Sequence, residues 1–126
     1  MNENKTEKLI KIISKLRDPS SGCEWTKSQT SKSLLPSILE EAKEIQEAFE
    51  NNDYENFKEE LGDLLLQIVL QSKIAEENNL FSFDEVIDTL CEKLIRRHPY
   101  VFKEKRPHTL EEQREAYFRI KDLEKS

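Results

Sequence analysis

Apolar residues recur at helical spacing in several stretches of the chain, and residues that end helices separate those stretches. In the first stretch isoleucines and leucines alternate with lysines, which predicts an amphipathic helix over residues 5–17. Residues 18–33 contain Pro19, Gly22 and many hydroxyl side chains, so we expect an irregular loop there. A loop of this length inside a compact domain is often functional.

Capping residues and short breaks predict four further helices. Ser33 is expected to cap helix 2, with Pro36 in its first turn, and Asp53 is expected to cap helix 3. Ser82 and Thr109 each stand three residues before a glutamate, which is the capping-box pattern. The predicted bounds are about 33–51, 54–78, 83–97 and 110–125. The sequence therefore predicts an all-α bundle of about five helices with short connections.

Composition and charge narrow the classes of function. The 126 residues suit one compact domain over residues 1–126, and 36% of them are apolar. The formal net charge is −6, which is a poor electrostatic match for nucleic acid. A partner that carries phosphate groups would need a divalent cation between the two sets of negative charge. We therefore expect no nucleic acid among the partners.

The chain shows no signal for membrane insertion or for disulfide formation. Its N-terminal residues hold no long apolar segment, and no run of residues reaches transmembrane length. Cys23 and Cys91 stand far apart and outside any Cys/His cluster, as expected for reduced thiols. These features favour a cytoplasmic protein without a membrane partner.

Candidate chemistry begins in predicted helix 3, in the stretch EELGDLLLQIVL. This helix is apolar on nearly every side between Leu61 and Leu70, so we expect it in the interior of the bundle. Its polar stripe consists of Glu60, Asp63, Gln67 and Gln71. A buried, ionised carboxylate costs on the order of several kcal/mol unless it is compensated. A bound cation would remove that cost, and the i, i+3 spacing of Glu60 and Asp63 lets both reach one ion.

Predicted helix 2 supplies a second set of acids, Glu40, Glu41, Glu44 and Glu47. Acids opposite an apolar stripe are also typical of the solvent-facing side of a helix. The short break at residues 51–53, however, makes helices 2 and 3 antiparallel neighbours, so Glu41 and Glu44 can face Glu60 and Asp63. Converging carboxylates repel one another without a metal ion, and hard oxygen ligands suit Mg²⁺ or Mn²⁺.

A di-iron carboxylate bundle is the alternative metal site for an acidic helical chain. Such a site needs a Glu-x-x-His pair on a helix. The histidines of this chain are His98 and His108, and the residues three positions before them are Ile95 and Lys105. The sequence therefore favours the magnesium-type site.

The acids also form a family pattern. Glu40-Glu41-x-x-Glu44, followed after fifteen residues by Glu60-x-x-Asp63, resembles the EExxE…ExxD signature of the MazG-type, all-α nucleoside triphosphate pyrophosphohydrolases. The segment LRDPSSGCEWTKSQTSKSLLPSILEEAKE is similar to the N-terminal segment of that family. EELGDLLLQIVL, KLIRRHPYVF and AYFRIKDLEK are similar to later segments. The resemblance covers nearly the whole chain and implies a single-copy member with a MazG-like four-helix core.

The resemblance implies Mg²⁺-dependent hydrolysis of a nucleoside triphosphate to the monophosphate and pyrophosphate. It implies that Glu41, Glu44, Glu60 and Asp63 are metal ligands. Glu40 would lie near the metal or orient the attacking water. Relatives form dimers, so a homodimer with helices packed across the twofold axis is also implied.

Basic and aromatic residues are candidates for contact with the rest of the nucleotide. Lys93, Arg96 and Arg97 close predicted helix 4, where the helix dipole alone already favours cations. The resemblance implies that this group contacts phosphate, through Lys93 and Arg97 above all, and Lys58 is a further candidate. Trp25 and Tyr117 are candidates for stacking on the base, and a place in the core is the other interpretation of both rings.

The predicted loop departs from the family pattern at three positions. Glu24, Thr26 and Ser31 stand where the pattern has Pro, Asp and His. These departures lie outside the acidic motif and bear on how the loop contacts the base or the sugar.

Two alternative functions remain open at this point. One is a non-catalytic helical module for self-association or partner binding. The other is the same enzyme class with a narrow substrate, such as dUTP, dCTP or a damaged nucleotide.

Overall fold

The computed structural model describes residues 4–104 and 107–125, and these residues form seven α-helices and no β-strand. The helices are α1 (Lys5–Leu16), α2 (Glu24–Ser28), α3 (Ser31–Glu50), α4 (Tyr54–Glu77), α5 (Phe83–Arg97), α6 (Pro99–Phe102) and α7 (Leu110–Glu124). The all-α prediction is confirmed. Two short helices, α2 and α6, were not predicted.

The chain divides into two compact units, one up to Phe83 and the other from Asp84 onward. The first unit contains α1 to α4, and the second contains nearly all of α5 together with α6 and α7. The four-helix core and the single domain stay predictions. Within the parts of the chain that are described, no helix is both long and apolar enough to cross a bilayer.

The core of the first unit joins three helices through aliphatic side chains. Its buried members are Ile13 of α1, Leu34 of α3, and Val69, Leu70 and Ile74 of α4. Helices α3 and α4 form the main helix pair of this unit, and α1 packs against α4 as well. The core lies at the end of the pair that contains the start of α3 and the second half of α4.

The turn between α3 and α4 holds the opposite end of this helix pair. The amide of Asp53 donates to the carbonyl of Ala48, and the amide of Asn52 donates to that of Phe49, which is the Schellman arrangement. Asn52 has a φ of 56°, a left-handed conformation that asparagine tolerates. The Asp53 side chain then accepts a hydrogen bond from the amide of Asn56, so the predicted cap of this helix is confirmed.

Helix α3 begins earlier than the sequence analysis predicted. Thr30, not Ser33, is its N-cap, and the two residues form a capping box in which each side chain accepts a bond from the other's backbone amide. Pro36 therefore lies in the second turn of the helix, not the first. The capping box predicted at Thr109 and Glu112 is confirmed at the start of α7.

The predicted burial of α4 is wrong for one of its faces between Leu61 and Ile68. Leu61, Leu65 and Ile68 share one face, and they are 46%, 44% and 41% exposed within this chain. These residues follow an i, i+4, i+7 spacing, so they form one apolar stripe. The stripe needs a cover that the described residues of this chain do not supply.

Arg17 organises the predicted loop that follows α1. Its guanidinium donates to the carbonyls of Thr26 and Gln29 at 2.6 and 3.1 Å, and it forms two bonds to the carboxylate of Glu77 at 2.8 and 2.9 Å. This ion pair lowers the pKa of Glu77. The contacts hold α2 in place although its five residues are too few to form a stable helix alone.

The two glycines give opposite predictions for stability. A Cβ at Gly22 would clash with the backbone carbonyls of Leu16 and Asp18, whereas a Cβ at Gly62 would meet no described atom within 4 Å. Gly22→Ala should lower the free energy of unfolding by ~1–3 kcal/mol because the loop backbone must shift. Gly62→Ala should raise it by about 0.5–1 kcal/mol because alanine favours the helix. Urea unfolding of both variants measures these free energies. A Gly22→Ala protein as stable as the wild type would contradict the first prediction.

Candidate metal centre

Helices α3 and α4 bring three carboxylates together. Glu41 of α3 and Glu60 and Asp63 of α4 each offer an oxygen atom, and these atoms all lie within 4.8 Å of one another. Glu41 and Glu60 are half-buried, and Asp63 is exposed. The structure therefore places these three predicted residues at one point between the two helices.

The antiparallel register of the helix pair produces this meeting. Gln71, near the core, donates a hydrogen bond to the carbonyl of Ser31 at 2.9 Å, which fixes the start of α3 against the second half of α4. The turn at residues 51–53 fixes the other end. Glu41 and Glu60 lie between these two fixed points, so neither helix can slide to separate the acids.

The pKa values of Glu41, Glu44 and Glu60 are all raised in the folded chain. Burial raises the pKa of Glu41, and the charges of Glu44 and Asp63 add to that effect. Contact with Glu60 raises the pKa of Glu44. The contact with Glu44 by itself lowers the pKa of Glu60, but burial and the neighbouring Glu41 outweigh it, and the net direction is upward. The folded chain therefore opposes full ionisation of this cluster.

Unpaired oxygen atoms show what the cluster lacks. Among the described residues, Glu41 Oε2, Glu60 Oε2 and Gln67 Oε1 are buried and have no hydrogen-bond partner. All three atoms are acceptors, so a ligand that satisfies them must bring positive charge or hydrogen-bond donors. Carboxylate and amide oxygens are the ligand atoms that Mg²⁺ and Mn²⁺ prefer, so these residues fit a divalent cation.

Glu44, Glu40 and Lys58 are three further predicted residues of the first unit. Glu44 contacts Glu60 on the side towards the turn and contributes to its electrostatics. Glu40 is exposed, and its charge acts on Glu44. Lys58 is exposed and forms an ion pair with Glu55 at 2.9 Å, within the first turns of α4.

The predicted phosphate contacts belong to the second unit, where Glu124 binds the arginines. Arg97 donates to Glu124 at 2.7 and 3.0 Å and to the hydroxyl of Tyr117 at 3.2 Å. Arg96 pairs with the same carboxylate, and these bonds lower the pKa of Glu124 to about 2. Lys93 is half-buried on α5. The role of these cations in binding phosphate stays a prediction.

The two candidate stacking rings have different surroundings. Trp25 lies on α2 and is 61% exposed, so it does not belong to the core of this chain. Tyr117 packs against His98 and Phe118, and the Arg97 guanidinium lies 5.6 Å from the centre of its ring. Trp25 is therefore the more accessible of the two for a base.

Glu24, Thr26 and Ser31, the three residues that depart from the family pattern, all make contacts in the structure. Glu24 pairs with Lys27 at 2.8 Å, and the carbonyl of buried Thr26 accepts from Arg17. The carbonyl of Ser31 accepts from Gln71. The contacts of Thr26 and Ser31 are thus made through their backbone carbonyls, whereas that of Glu24 is made through its side chain.

Two residues have roles in the structure that the sequence did not predict. Arg17 anchors the loop, and Gln67 is buried beside the acids with an unpaired oxygen. Gln67 stood in the predicted polar stripe without a role. The signal available for it was a glutamine at helical spacing from two candidate ligands, within an otherwise apolar segment.

The fold and the site define a class of protein, an all-α chain in which two antiparallel helices present facing carboxylates to a candidate divalent cation. Residues 29–102 match the model of the MazG nucleotide pyrophosphohydrolase domain. The chain also resembles the crystal structure of a MazG-related protein from Thermotoga maritima, with a TM-score of 0.78, 30% identity, and coverage of 92% of this chain and 98% of that one. The chain belongs to the MazG nucleotide pyrophosphohydrolase domain family.

Curated relatives support this assignment. The chain is 51% identical over 96 residues to the nucleoside triphosphate pyrophosphohydrolase/pyrophosphatase MazG of Thermotoga maritima, a match that covers 76% of this chain and 37% of that protein. It is 40% identical over 99 residues to the nucleoside triphosphate pyrophosphohydrolase of Escherichia coli K12, covering 79% of this chain and 38% of that protein. The chain thus spans little more than a third of the length of these relatives.

The strained cluster gives a prediction for the metal-free protein. Glu60→Gln removes a charge whose buried oxygen has no partner, so it should raise the melting temperature in EDTA. The gain should be largest at neutral pH and shrink as the pH falls towards the ordinary carboxyl value of 4.5, because the raised pKa of Glu60 keeps the wild-type group protonated there. Glu47→Gln on α3 is the matched control. An equal or lower melting temperature for Glu60→Gln at neutral pH would contradict this account.

Proposed function

We propose that this protein hydrolyses nucleoside triphosphates, or their deoxy forms, to the monophosphate and pyrophosphate, with Mg²⁺ as its cofactor and Mn²⁺ as a substitute. The observation that carries the proposal is the meeting of Glu41, Glu60 and Asp63 within 4.8 Å. Membership of the family and the activity for which the relatives are named support it. Neither observation alone distinguishes among nucleotides.

The carboxylates are proposed to hold the cation in defined positions. Glu41, Glu60 and Asp63 supply the closest set of oxygen atoms, and Glu44 is the fourth ligand because it contacts Glu60 from the same helix as Glu41. When bound, a divalent cation screens the triphosphate, polarises the phosphoryl group and lowers the pKa of an attacking water. Glu40, which is exposed and precedes Glu41, is proposed to orient that water.

The half-buried position of the acids is part of the proposed chemistry. Glu41 and Glu60 are only partly open to bulk water, and reduced contact with water strengthens electrostatic interactions. Because both helices are fixed at the turn and at the core, the acids need little rearrangement when the cation binds. Such preorganisation is the main way in which phosphoryl-transfer sites lower their barriers.

Basic side chains are proposed to bind the phosphates. Lys93, Arg96 and Arg97 are the leading group, and Lys58 is a weaker candidate because it already pairs with Glu55. The guanidinium of Arg97 makes three bonds to Glu124 and Tyr117, through three of its N–H groups, so donors remain for a phosphate oxygen. Trp25 and Tyr117 are the proposed contacts for the base.

Pyrophosphate release from a panel of nucleoside triphosphates tests the proposed activity directly. The wild-type protein should release pyrophosphate with Mg²⁺ and not with EDTA. Glu41→Gln and Asp63→Asn should each lower kcat by about a hundredfold or more, because each removes a ligand charge from the proposed metal centre. Glu47→Gln, an acid of the same helix outside the cluster, should keep the wild-type rate.

The same assay separates the alternatives. Release from one nucleotide only, such as dUTP, dCTP or a damaged nucleotide, would show the same class of enzyme with a narrow substrate. A folded wild-type protein that releases no pyrophosphate from any member of the panel would overturn the proposal. That result would favour the non-catalytic helical module.

We also propose that the protein is a homodimer. The apolar stripe of Leu61, Leu65 and Ile68 is between 41% and 46% exposed on α4, and Leu35 and Leu39 of α3 are also exposed. A second copy could bury these side chains across a twofold axis, which would restore the predicted interior position of α4. Because Leu61 of the stripe directly follows Glu60, the partner would lie close to one side of the acid cluster.

Light scattering tests the dimer. The wild-type protein should have the mass of two chains at micromolar concentration, and Leu65→Glu should have the mass of one, because a charge on the stripe cannot be buried without a partner. Leu80→Glu places the same charge on a leucine that is 70% exposed outside the stripe, and it should stay dimeric. A wild-type monomer would contradict the proposal.

A cytoplasmic location is proposed from the two cysteines. Cys23 and Cys91 are both exposed and not joined in a disulfide. Exposed free thiols are typical of reducing compartments.

A further inference from the structure

Gln67 carries a buried polar group that has no part in the function proposed above. Its side chain is on α4, it is only 8% exposed, and its Oε1 atom has no hydrogen-bond donor. Glutamine is rarely buried in this way unless its amide is paired, because an unpaired buried acceptor loses its bonds to water without replacement. The unpaired oxygen therefore indicates that a donor is supplied from outside the described chain.

The position of Gln67 directs this oxygen towards the acids. Gln67 follows Asp63 by four residues and Glu60 by seven, so all three lie on one face of α4. Side chains on a helix lean towards its N-terminus, and here that is the direction of Asp63 and Glu60. One turn further along, Gln71 is occupied by its bond to the carbonyl of Ser31 at 2.9 Å.

The nature of the unpaired atoms restricts what can bind. Glu41 Oε2, Glu60 Oε2 and Gln67 Oε1 are all acceptors. The two carboxylates need positive charge, and the amide oxygen needs a hydrogen-bond donor. A hydrated divalent cation supplies both at once, since Mg²⁺ keeps several of its waters when it binds to a few carboxylates.

The offset along the helix indicates that Gln67 reaches the cation through a water molecule. Four residues of helix separate Asp63 from Gln67 by about 6 Å along the axis, and both side chains lean the same way. A water between the amide and the cation fits the gap better than direct coordination.

We propose that Gln67 is a positioning residue of the metal centre, whose Oε1 accepts a hydrogen bond from a water in the hydration shell of the cation held by Glu41, Glu60 and Asp63. This inference rests on the metal centre of the proposed function. It adds a residue outside the acidic motif that sets the orientation of one of the cation's waters. Such outer-shell partners commonly determine metal affinity as well as geometry.

Titration calorimetry with Mg²⁺ and with Mn²⁺ tests the proposal without reference to activity. Gln67→Leu removes the acceptor and keeps most of the volume, so metal affinity should fall about tenfold or more. The melting temperature of the same variant in EDTA should equal or exceed that of the wild type, because an unpaired buried acceptor is gone. If Gln67 had only a structural role, Gln67→Leu would keep the metal affinity of the wild type and would melt at a lower temperature in EDTA.

Two further variants control for packing. Gln71→Leu makes the same chemical change one turn away, where the amide already has a partner, so it should lower the melting temperature in EDTA, which is the opposite of the effect expected for Gln67→Leu. Gln67→Glu keeps an oxygen acceptor at the proposed position and should bind Mg²⁺ at least as tightly as the wild type. If Gln67→Leu does not fold, weaker binding by Gln67→Glu overturns the proposal by itself.

The outcomes separate this proposal from the function on which it rests. A wild-type protein that binds no divalent cation overturns both. Normal binding by the wild type together with equal binding by Gln67→Leu overturns only the role of Gln67. Equal losses of metal affinity in Gln67→Leu and Gln67→Glu would show that packing at this position matters and that the oxygen acceptor does not, which would overturn the role of Gln67. If Gln67→Leu raises the KM for the nucleotide and leaves metal affinity unchanged, the Oε1 of Gln67 contacts the nucleotide and not the hydrated cation. That result would also overturn the proposal.

Discussion

Repulsion between carboxylates held on facing helices is the constraint on which the first unit depends. Glu41, Glu60 and Asp63 lie within 4.8 Å of one another, and buried oxygens of Glu41 and Glu60 have no partner. A chain selected for stability alone would separate these groups or replace one of them. Here the core at one end of the α3–α4 pair and the Schellman turn at the other prevent separation. Under the proposed function, a bound cation would offset the cost of this arrangement and so link the stability of the unit to its activity.

The acid cluster was predictable because each step towards it is local. An i, i+3 spacing places two acids on one face of a helix, and a turn of three residues makes the next helix antiparallel. Asp53 caps α4 as expected, so the turn that sets one end of the helix pair follows from neighbouring residues. The start of α3 was misplaced because serine takes the position where a capping box usually has glutamate or glutamine.

Features that depend on distant partners were not predictable. Helix α2 is held by Arg17, and Arg17 is itself held by Glu77, sixty residues later in the chain. Glu124 reaches Arg97 from another helix of the second unit, and no sequence pattern pairs them. Periodicity correctly marked α4 as apolar on nearly every side, but it does not say whether the cover comes from the same chain. Leu61, Leu65 and Ile68 are therefore exposed where burial was expected.

The most direct test of the central claim is anomalous diffraction from crystals grown with Mn²⁺. The account predicts an anomalous peak between α3 and α4, within coordination distance of carboxylate oxygens of Glu41, Glu60 and Asp63. Oxygen-to-manganese distances of about 2.1–2.3 Å would be expected for such hard ligands. Well-ordered crystals with saturating Mn²⁺, no peak at this position, and the three side chains turned apart into solvent would contradict it.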